Sequence, residues 1–587
     1  MVERAMSHLV GLPLPPRPAD KLDAAEALAA RVRAYHERSK HHLSGYAARP
    51  ETLDWDSQPS AFRRFVGAPA VALPQLDEVD GALRFALELP FDSPFAGAAL
   101  PFSLPALAVL LQLSLGITAW KSQGPDRWAV RANPSSGNLH PVEGYLVATG
   151  VVGLRAGVHH YRAEDHALEC RASWDLPAVR SAPRVWIALS TVIWREAWKY
   201  GERAFRYNQL DTGHAIGAFA AAAAVLGWRV REQPQIGWET LLHTLGLDRS
   251  ADFPHGSRPD TELEEPEVLL ELSASTVQPP IRATELRRSS SSARYFGEAT
   301  RIDPHPMYSW PVLEDVAQAS RWPDDPARAP GADALGPAKT QPGLAESVRR
   351  STQAVIAGRR SAQRFDSKFM LERSSFVRIL SSLERVAPGP GAGRGASGID
   401  LIVFVHRVEG LPPGVYFLRR SSDATSSLHA RLAAAFELRH VPDALRDARS
   451  AELSAPLELF ELARRPTKEL ARIARTVHCH QDIASNGCFA VGMLADFERS
   501  LDAGPAAYRE LLREAGRLGH MLYLQSEAEG VRSTGIGCFF DDAVLELISL
   551  SRSPIRSLYH LSVGKAIEDP RVETVSAARA KTTTGAE

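Results

Sequence analysis

The chain has 587 residues, 44% of them hydrophobic and 23% charged, with a formal net charge of -1. That length exceeds one ordinary core and predicts two domains or three small ones, with the composition of a soluble globular protein. So small a net charge gives no electrostatic reason for nucleic acid or an anionic membrane as partner, and neither is expected.

The opening stretch "MVERAMSHLVGLPLPP" lacks a long apolar segment and breaks at prolines, so neither a signal peptide nor an anchor is expected. At residues 131–147, "RANPSSGNLHPVEGYLV" sets Arg131, Pro134, Ser135, Ser136, Gly137, Asn138 and His140 before an alternating run that predicts a strand. A turn needs one or two such residues. The surplus of small hydrogen-bonding groups predicts a loop that wraps a ligand, with His140 either touching it or capping the strand.

Further on, "RVWIALSTVIW" predicts a strand and "AWKYGERAFRY" the start of a helix. The apolar run "GHAIGAFAAAAAVLGW" (213–228) is shorter than the ~20 residues a bilayer requires and predicts a buried core helix. Residues 276–345, rich in Pro, Ser, Ala and Asp, predict a linker between a domain at 1–275 and another at 346–587.

The second part opens with "GRRSAQRF", in which Arg359, Arg360, Ser361 and Arg364 suit a phosphate. "GRGASG" (393–398) matches a dinucleotide-binding spacing but precedes the strand-like "IDLIVFV" rather than a helix, so that fold is rejected. "HCHQD" (478–482) reads as a strand-edge histidine pair without further ligands nearby, and no metal site is expected. Four cysteines (Cys170, Cys479, Cys488, Cys538) make no disulfide framework and suit a reducing cytoplasm, the expected location.

A faint duplication spans the linker. Gly201, Ala204, Phe205, Arg206, Gly213 and Gly227 are matched by Gly504, Ala507, Tyr508, Arg509, Gly516 and Gly530, each pair 303 positions apart. Each copy reads strand, helix, glycine-capped helix, strand. The expected architecture is therefore α+β: two tandem domains, each a mostly antiparallel sheet flanked by helices, joined as an intrachain pseudo-dimer with its isologous interface retained.

The Arg-Arg-Ser-x-x-Arg start, the Pro-Ser-Ser-Gly-Asn loop, the helix bracketed by glycines and "GIGCFFDD" together resemble the nitroreductase superfamily of FMN-dependent oxidoreductases. "YHERSKHHLSGYAARPETLDW", "SLGITAWK", "GVHHY" and "AWKYGERAFRY" resemble its azoline dehydrogenase (SagB-type) branch, which makes thiazoles and oxazoles in modified peptides. The likeness covers most of residues 30–240 and 350–570. It implies FMN at the interface of two domains, one supplying the arginine-serine clamp and a glycine segment, the other the serine loop. Here the first half has Pro134–Asn138 without a "GIG", while the second has Arg359, Arg360, Ser361, Arg364, Gly535 and Gly537 but "GPGAGRGASGIDLIVFV" in place of a serine loop. One complete FMN site per chain is implied, its related site degenerate, with Ser39 and Lys40 as a possible remnant clamp.

The resemblance also marks Lys199 and Tyr200 as the pair that removes a substrate proton while hydride passes to flavin N5, oxygen then reoxidising the flavin. The lysine can act as base only if burial or nearby charge lowers its pKa. Positions 303 further on are Asp502 and Ala503, so the pair is unique to the first half. The implied substrate is a heterocycle or modified peptide, with other biosynthetic enzymes as possible partners. An NAD(P)H-dependent nitro or quinone reductase and a non-catalytic flavin-fold scaffold are the alternatives.

Overall fold

The computed structural model describes residues 18–576, apart from 92, 94–96, 175–181, 255–258, 275–278, 337–349, 390–397, 421–426 and 442–456. The opening stretch and most of "GPGAGRGASG" lie outside the described residues. Among the described residues, no helix is long and apolar enough to cross a membrane.

A hairpin of β1 (Ile117–Gln123) and β2 (Asp126–Arg131) leads through the serine loop into the first large sheet. That sheet contains β3 (Val142–Thr149), β4 (Gly157–Arg162), β5 (Ala167–Ser173), β6 (Arg184–Thr191), β7 (Arg229–Glu232) and β8 (Glu265–Ser273). Between β6 and β7 lie α1 (Ile193–Tyr200) and α2 (Ala204–Val225). The second large sheet contains β9 (Ile399–Val405), β10 (Gly414–Arg419), β11 (Glu458–Arg464), β12 (Phe489–Asp496), β13 (Arg532–Ile536) and β14 (Ile555–Gly564), with α3 (Thr352–Gly358) before it and α4 (Ala507–Ala528) between β12 and β13.

The two sheets share one strand order. The first runs β5-β4-β3-β6-β8-β7 and the second β11-β10-β9-β12-β14-β13, each with a two-residue strand at the β5 or β11 edge. All these pairings are antiparallel. Helices α2 and α4 each have 22 residues and begin 303 positions apart, as do β7 and β13. Gly227 and Gly530, at φ 73° and 71°, follow the two helices in the left-handed conformation that ends a helix cheaply only with glycine.

The predicted core helix is α2, buried along nearly its whole length. It is apolar toward its C-terminal end, yet its first half buries Asn208, Gln209, Asp211, Thr212 and His214. A side chain that is polar and buried needs a partner: Asn208 and Thr212 bond to carbonyls of α2 itself, Asp211 to Ser136, Gln209 to Glu267 and to Arg513 of α4, and His214 to Tyr559.

The two helices cross with their backbones in contact. A Cβ on Gly213 would lie 2.2 Å from the Arg513 carbonyl oxygen, and one on Gly516 would lie 2.2 Å from that of Leu210. The contact is reciprocal, because 213 and 516 are 303 apart and so are 210 and 513. It is the arrangement of a two-fold interface, residue i meeting j and j meeting i.

The stretch from 276 to 345 is more than a tether. It forms helices at Ala283–Ser291 and Pro311–Ala319, and Arg294–Tyr295 pairs with β5 at the sheet edge. Beyond Trp322 it lies along β7, where Gly331 N donates to Glu232 O at 2.9 Å and Ala334 N to Val230 O at 2.8 Å. Near the other end of the chain, β15 (Glu573–Ser576) pairs with β1, so a strand after the second sheet completes the hairpin before the first.

Gly213→Val and Gly516→Val are each expected to destabilise the protein by ~3 kcal/mol or more, because the new methyls meet backbone that cannot retreat. Chemical denaturation should show the loss, whereas Gly45→Ala, whose Cβ meets nothing within 4 Å, should leave the midpoint unchanged.

Candidate functional site

Between the halves lies a cavity of about 370 Å³, within the range of sites that hold small molecules. The first half contributes Asn133–Asn138 and His140 from the serine loop, and Tyr207, Asp211 and His214 from α2. The second contributes Arg359–Gln363, Tyr523 of α4, Thr534–Cys538 and Tyr559. The serine loop and the arginine-serine segment, 220 and more positions apart in the chain, thus face one void.

The loop holds its shape by left-handed backbone at three of four positions. Gly137 has φ 59°, Asn138 61° and His140 53°. Asn tolerates this region and a histidine does so at a cost. Two bonds lock it: His140 N donates to Ser135 Oγ at 2.8 Å, and Asn138 Nδ2 to Ala129 O at 2.9 Å. From α2, Asp211 accepts from Ser136 N at 3.1 and 3.0 Å and from Ser136 Oγ at 2.9 Å.

Gly137 is also where Lys199 and Tyr200 arrive. A Cβ there would lie 2.5 Å from the Tyr200 hydroxyl and 3.2 Å from Lys199 Nζ. Helix α1 ends immediately afterwards because Gly201 takes φ 56°, and a Cβ on it would strike Ala48 O at 2.4 Å. Burial lowers the Lys199 pKa, the direction a base requires, and raises that of Tyr200 well above its ordinary value. The lysine ammonium lies 5.2 Å from the centre of the Trp55 ring.

The remaining predicted residues divide by what their side chains do. Arg131 donates to the carbonyls of Ala61 and Val142, so it braces the loop from behind. Arg359 reaches across the halves to Ala132 O at 3.0 Å and Arg131 O at 2.9 Å, and therefore also holds the loop. Arg360 donates only from Nη1, to Ala357 O and Arg359 O, and it faces the cavity beside Ser361. Burial and the neighbouring Arg359 bring its pKa down to about 10. Ser361 Oγ lies 2.9 Å from the Tyr523 hydroxyl, which accepts from Gly535 N at 2.7 Å.

Gly535 and Gly537 are there for closeness, since Cβ atoms would meet Tyr559 Oη at 1.9 Å and Tyr207 Cε1 at 2.2 Å. Arg364 is corrected: it is exposed and outside the cavity wall, because Phe365 rather than Arg364 turns inward.

Sequence reasoning missed several wall residues. Lys121 of β1 joins Arg359 and Arg360 at one end of the wall; Arg532 behind them pairs with Glu527 and Glu568, whose charges also act on Lys121 and Arg360. That end suits an anion. The opposite end is aromatic, with Tyr200, Tyr207 and Tyr559. Asn133 Oδ1 is a buried acceptor on the wall with no partner.

Asp211 and Glu196 are buried acids close to Lys199. Burial raises Asp211 to about 7 against its hydrogen bonds to the loop serines, and raises Glu196, whose two oxygens have no hydrogen-bond partner, well above its ordinary value. The i,i+3 spacing of Asp211 with His214, and of Glu196 with Lys199, was the available signal.

At the place related by the 303 offset, Tyr207, Asp211 and His214 are replaced by Glu510, Glu514 and Arg517, and Gly535 and Gly537 by Glu232 and Pro234. The void there is about 20 Å³. Arg509 reaches Glu267 at 2.8 Å and Glu265 at 2.7 Å, Arg513 pairs with Glu267, and Arg517 with Glu232 at 2.8 Å. Trp322 and Arg328 of the intervening stretch cover this network. Ser39 and Lys40 are not in its walls; Lys40 pairs with Glu37 and Asp542. His478 is likewise a packing residue, bonded to His560 and Ala474 O.

Asp211 binds a proton in the folded chain up to about pH 7 but when unfolded only to about pH 4. The folded state thus holds the extra proton across that window, and stability falls as pH rises through it. Asp211→Asn, which keeps an acceptor for Ser136, should flatten the fall between pH 4 and 7 in denaturation midpoints.

No family model matches the chain. The trifolitoxin-processing protein TfxB of Rhizobium leguminosarum bv. trifolii is 31% identical over 159 residues, 24% of this chain and 43% of its own. A protein of Methanocaldococcus jannaschii named as a nitroreductase is 28% identical over 138 residues, 22% of this chain and 66% of its own. The chain therefore spans less than half of the first relative and just under two thirds of the second. A crystal structure of a nitroreductase candidate from Anabaena variabilis ATCC 29413 superposes with a TM-score of 0.61 at 19% identity, covering 92% of this chain and 99% of that one. By architecture and by these relatives, the chain has a nitroreductase-like fold.

Proposed function

We propose that the chain is an FMN-dependent oxidoreductase, a fused pair of nitroreductase-like domains with one flavin site, that oxidises a peptide-derived heterocycle of the azoline type. The observation that carries this reading is the cavity in which Ser135–Asn138 and Tyr200 of one half, with Lys199 Nζ against the loop at Gly137, face Arg360–Ser361 and Gly535–Gly537 of the other. The reciprocal contact of Gly213 and Gly516 supports the fused pair, and the ion network around Glu267 supports a single site.

The residues present suit FMN. Lys121, Arg360 and Ser361 would hold its phosphate, since two cations and a hydroxyl line the cavity there. The loop amides, Asn133 Oδ1 and the tyrosines would meet its ring, Asn133 gaining the partner it lacks. When bound, FMN supplies a two-electron acceptor.

The chain's own part is to hold and move a proton. Lys199 Nζ, deprived of hydration and close to the loop, takes the proton from a ring carbon of the substrate, and the Tyr200 hydroxyl orients the acceptor atom. Burial raises the Glu196 pKa well above its ordinary value, which weakens the hold of its charge on the lysine ammonium. The name of the first relative, a trifolitoxin-processing protein, favours a substrate derived from a peptide.

Lys199→Ala and Tyr200→Phe are each expected to lower turnover of an azoline-containing peptide ~100-fold or more while the flavin spectrum persists. Arg360→Ala with Ser361→Ala should instead weaken FMN binding, read by fluorescence titration. A protein that gains no flavin bands on incubation with FMN ends the proposal. Rapid anaerobic bleaching by NADPH, with no azoline turnover, replaces it with a reductase.

A further inference from the structure

Cys538 and Cys479 are left over from the flavin reading, and their placement is specific. Cys538 is half-buried in the cavity wall directly after Gly537. The segment 477–481 runs against it: Phe540 N donates to Val477 O at 2.9 Å, and Gln481 Nε2 to Cys538 O at 2.9 Å. Those two bonds hold the turn that carries Cys479 beside Cys538, and each thiol is the largest influence on the other's ionisation. Cys479 has φ 52° and the next residue, His480, φ 60°, left-handed backbone at two consecutive non-glycine positions.

The surroundings favour a thiolate on Cys538. His41 accepts from Ala47 N at its Nδ1, at 3.0 Å, so its other ring nitrogen carries the proton, and His41 lowers the Cys538 pKa. Arg203 donates to the Gly537 carbonyl at 3.2 and 3.1 Å. Asp541 is claimed by both Arg203 and Arg206, at 2.8 and 2.7 Å, so the fixed charge beside the thiol is net positive. The other titratable groups facing it, Tyr46, Tyr200 and Tyr207, are neutral near pH 7. Cation, imidazole N–H and a second thiol together make the setting of a reactive cysteine with a resolving partner.

We propose that Cys538 is a reactive thiol in the cavity wall and Cys479 its resolving thiol, together reducing a low-molecular-weight disulfide and closing to an intrachain disulfide. The Cys538 thiolate attacks one sulfur of the small disulfide, forming a mixed disulfide and expelling one thiolate. That thiolate takes the Cys479 proton. Cys479 then attacks Cys538 Sγ, forming the Cys479–Cys538 bond and expelling the second small thiolate, which takes a proton from water. Two protein thiols are oxidised and one disulfide is reduced to two thiols. Nothing in this chemistry needs a flavin, so it stands or falls apart from the oxidoreductase reading.

The test uses the purified full-length protein, reduced, freed of reductant and exposed to oxidised glutathione before alkylation and peptide mass mapping. Wild type should yield a Cys479–Cys538 linked peptide, while buried Cys170 and Cys488 remain reduced. Cys479→Ser, or Cys479→Ala should the hydroxyl disturb its buried site, should stop at a glutathione adduct on Cys538. Cys538→Ser should give neither product. Burial opposes ionisation of Cys538, but the donors around it prevail and hold its pKa below the ordinary thiol range. Its modification rate should therefore change by no more than about twofold from pH 8 to pH 6, where an unshifted thiol slows about a hundredfold. Absence of the linked peptide from wild type, with or without an adduct, overturns the proposal, as does the hundredfold slowing.

Discussion

The closeness of two helix backbones governs this molecule. Where Gly213 of α2 meets Gly516 of α4, no side chain separates them, and every distance between the halves follows from that contact. Arg359 reaches the carbonyls of residues 131 and 132 only because its half is drawn in so far. The cavity is what remains on one flank of the crossing: too narrow for a Cβ on Gly535 or Gly537, and wide enough for about 370 Å³ beside them.

The same crossing has two flanks, and the sequence treats them differently. On one, α2 presents Tyr207, Asp211 and His214 to an open space. On the other, α4 presents Glu510, Glu514 and Arg517, and the space is filled by guanidinium-carboxylate pairs with Trp322 above them. Ion pairs so deeply buried stabilise little in themselves, because desolvation offsets most of their attraction. Their consequence is occupancy: removing one partner leaves a stranded charge, so the filled flank resists reopening.

The open flank carries the opposite balance. Asp211, Glu196 and Lys199 lie near one another with too few opposite charges and too little water, so each shifts toward its neutral form. Arg360 and Lys121 do the same at the cationic end. A site whose buried acids and amines are pushed toward neutrality is poised to trade protons and to accept an anion, and this state is a property of the burial rather than of any single residue.

Much of this was legible in the sequence. Glycine-capped helices 303 positions apart, a strand after the serine loop and a core helix at 213–228 are local patterns, and local patterns follow from the two periodicities of the backbone. The repeat pointed to a recurring strand-helix-helix-strand unit but not to a strand order, which only the two sheets display. The serine loop and the arginine-serine segment were recognisable as types of residue suited to a ligand, and they do face one cavity. Their division of labour was not legible: Arg131 and Arg359 spend their guanidiniums on carbonyls, Arg364 turns outward, and Lys121 arrives from a hairpin that carried no motif. Nor was the placement of Cys479 beside Cys538, or of Trp322 and Arg328 over the second flank. Residue type and spacing determined which elements form and which chemistry is available. Only the tertiary packing decided which charges lose their water and which face each other, because desolvation depends on neighbours hundreds of positions away.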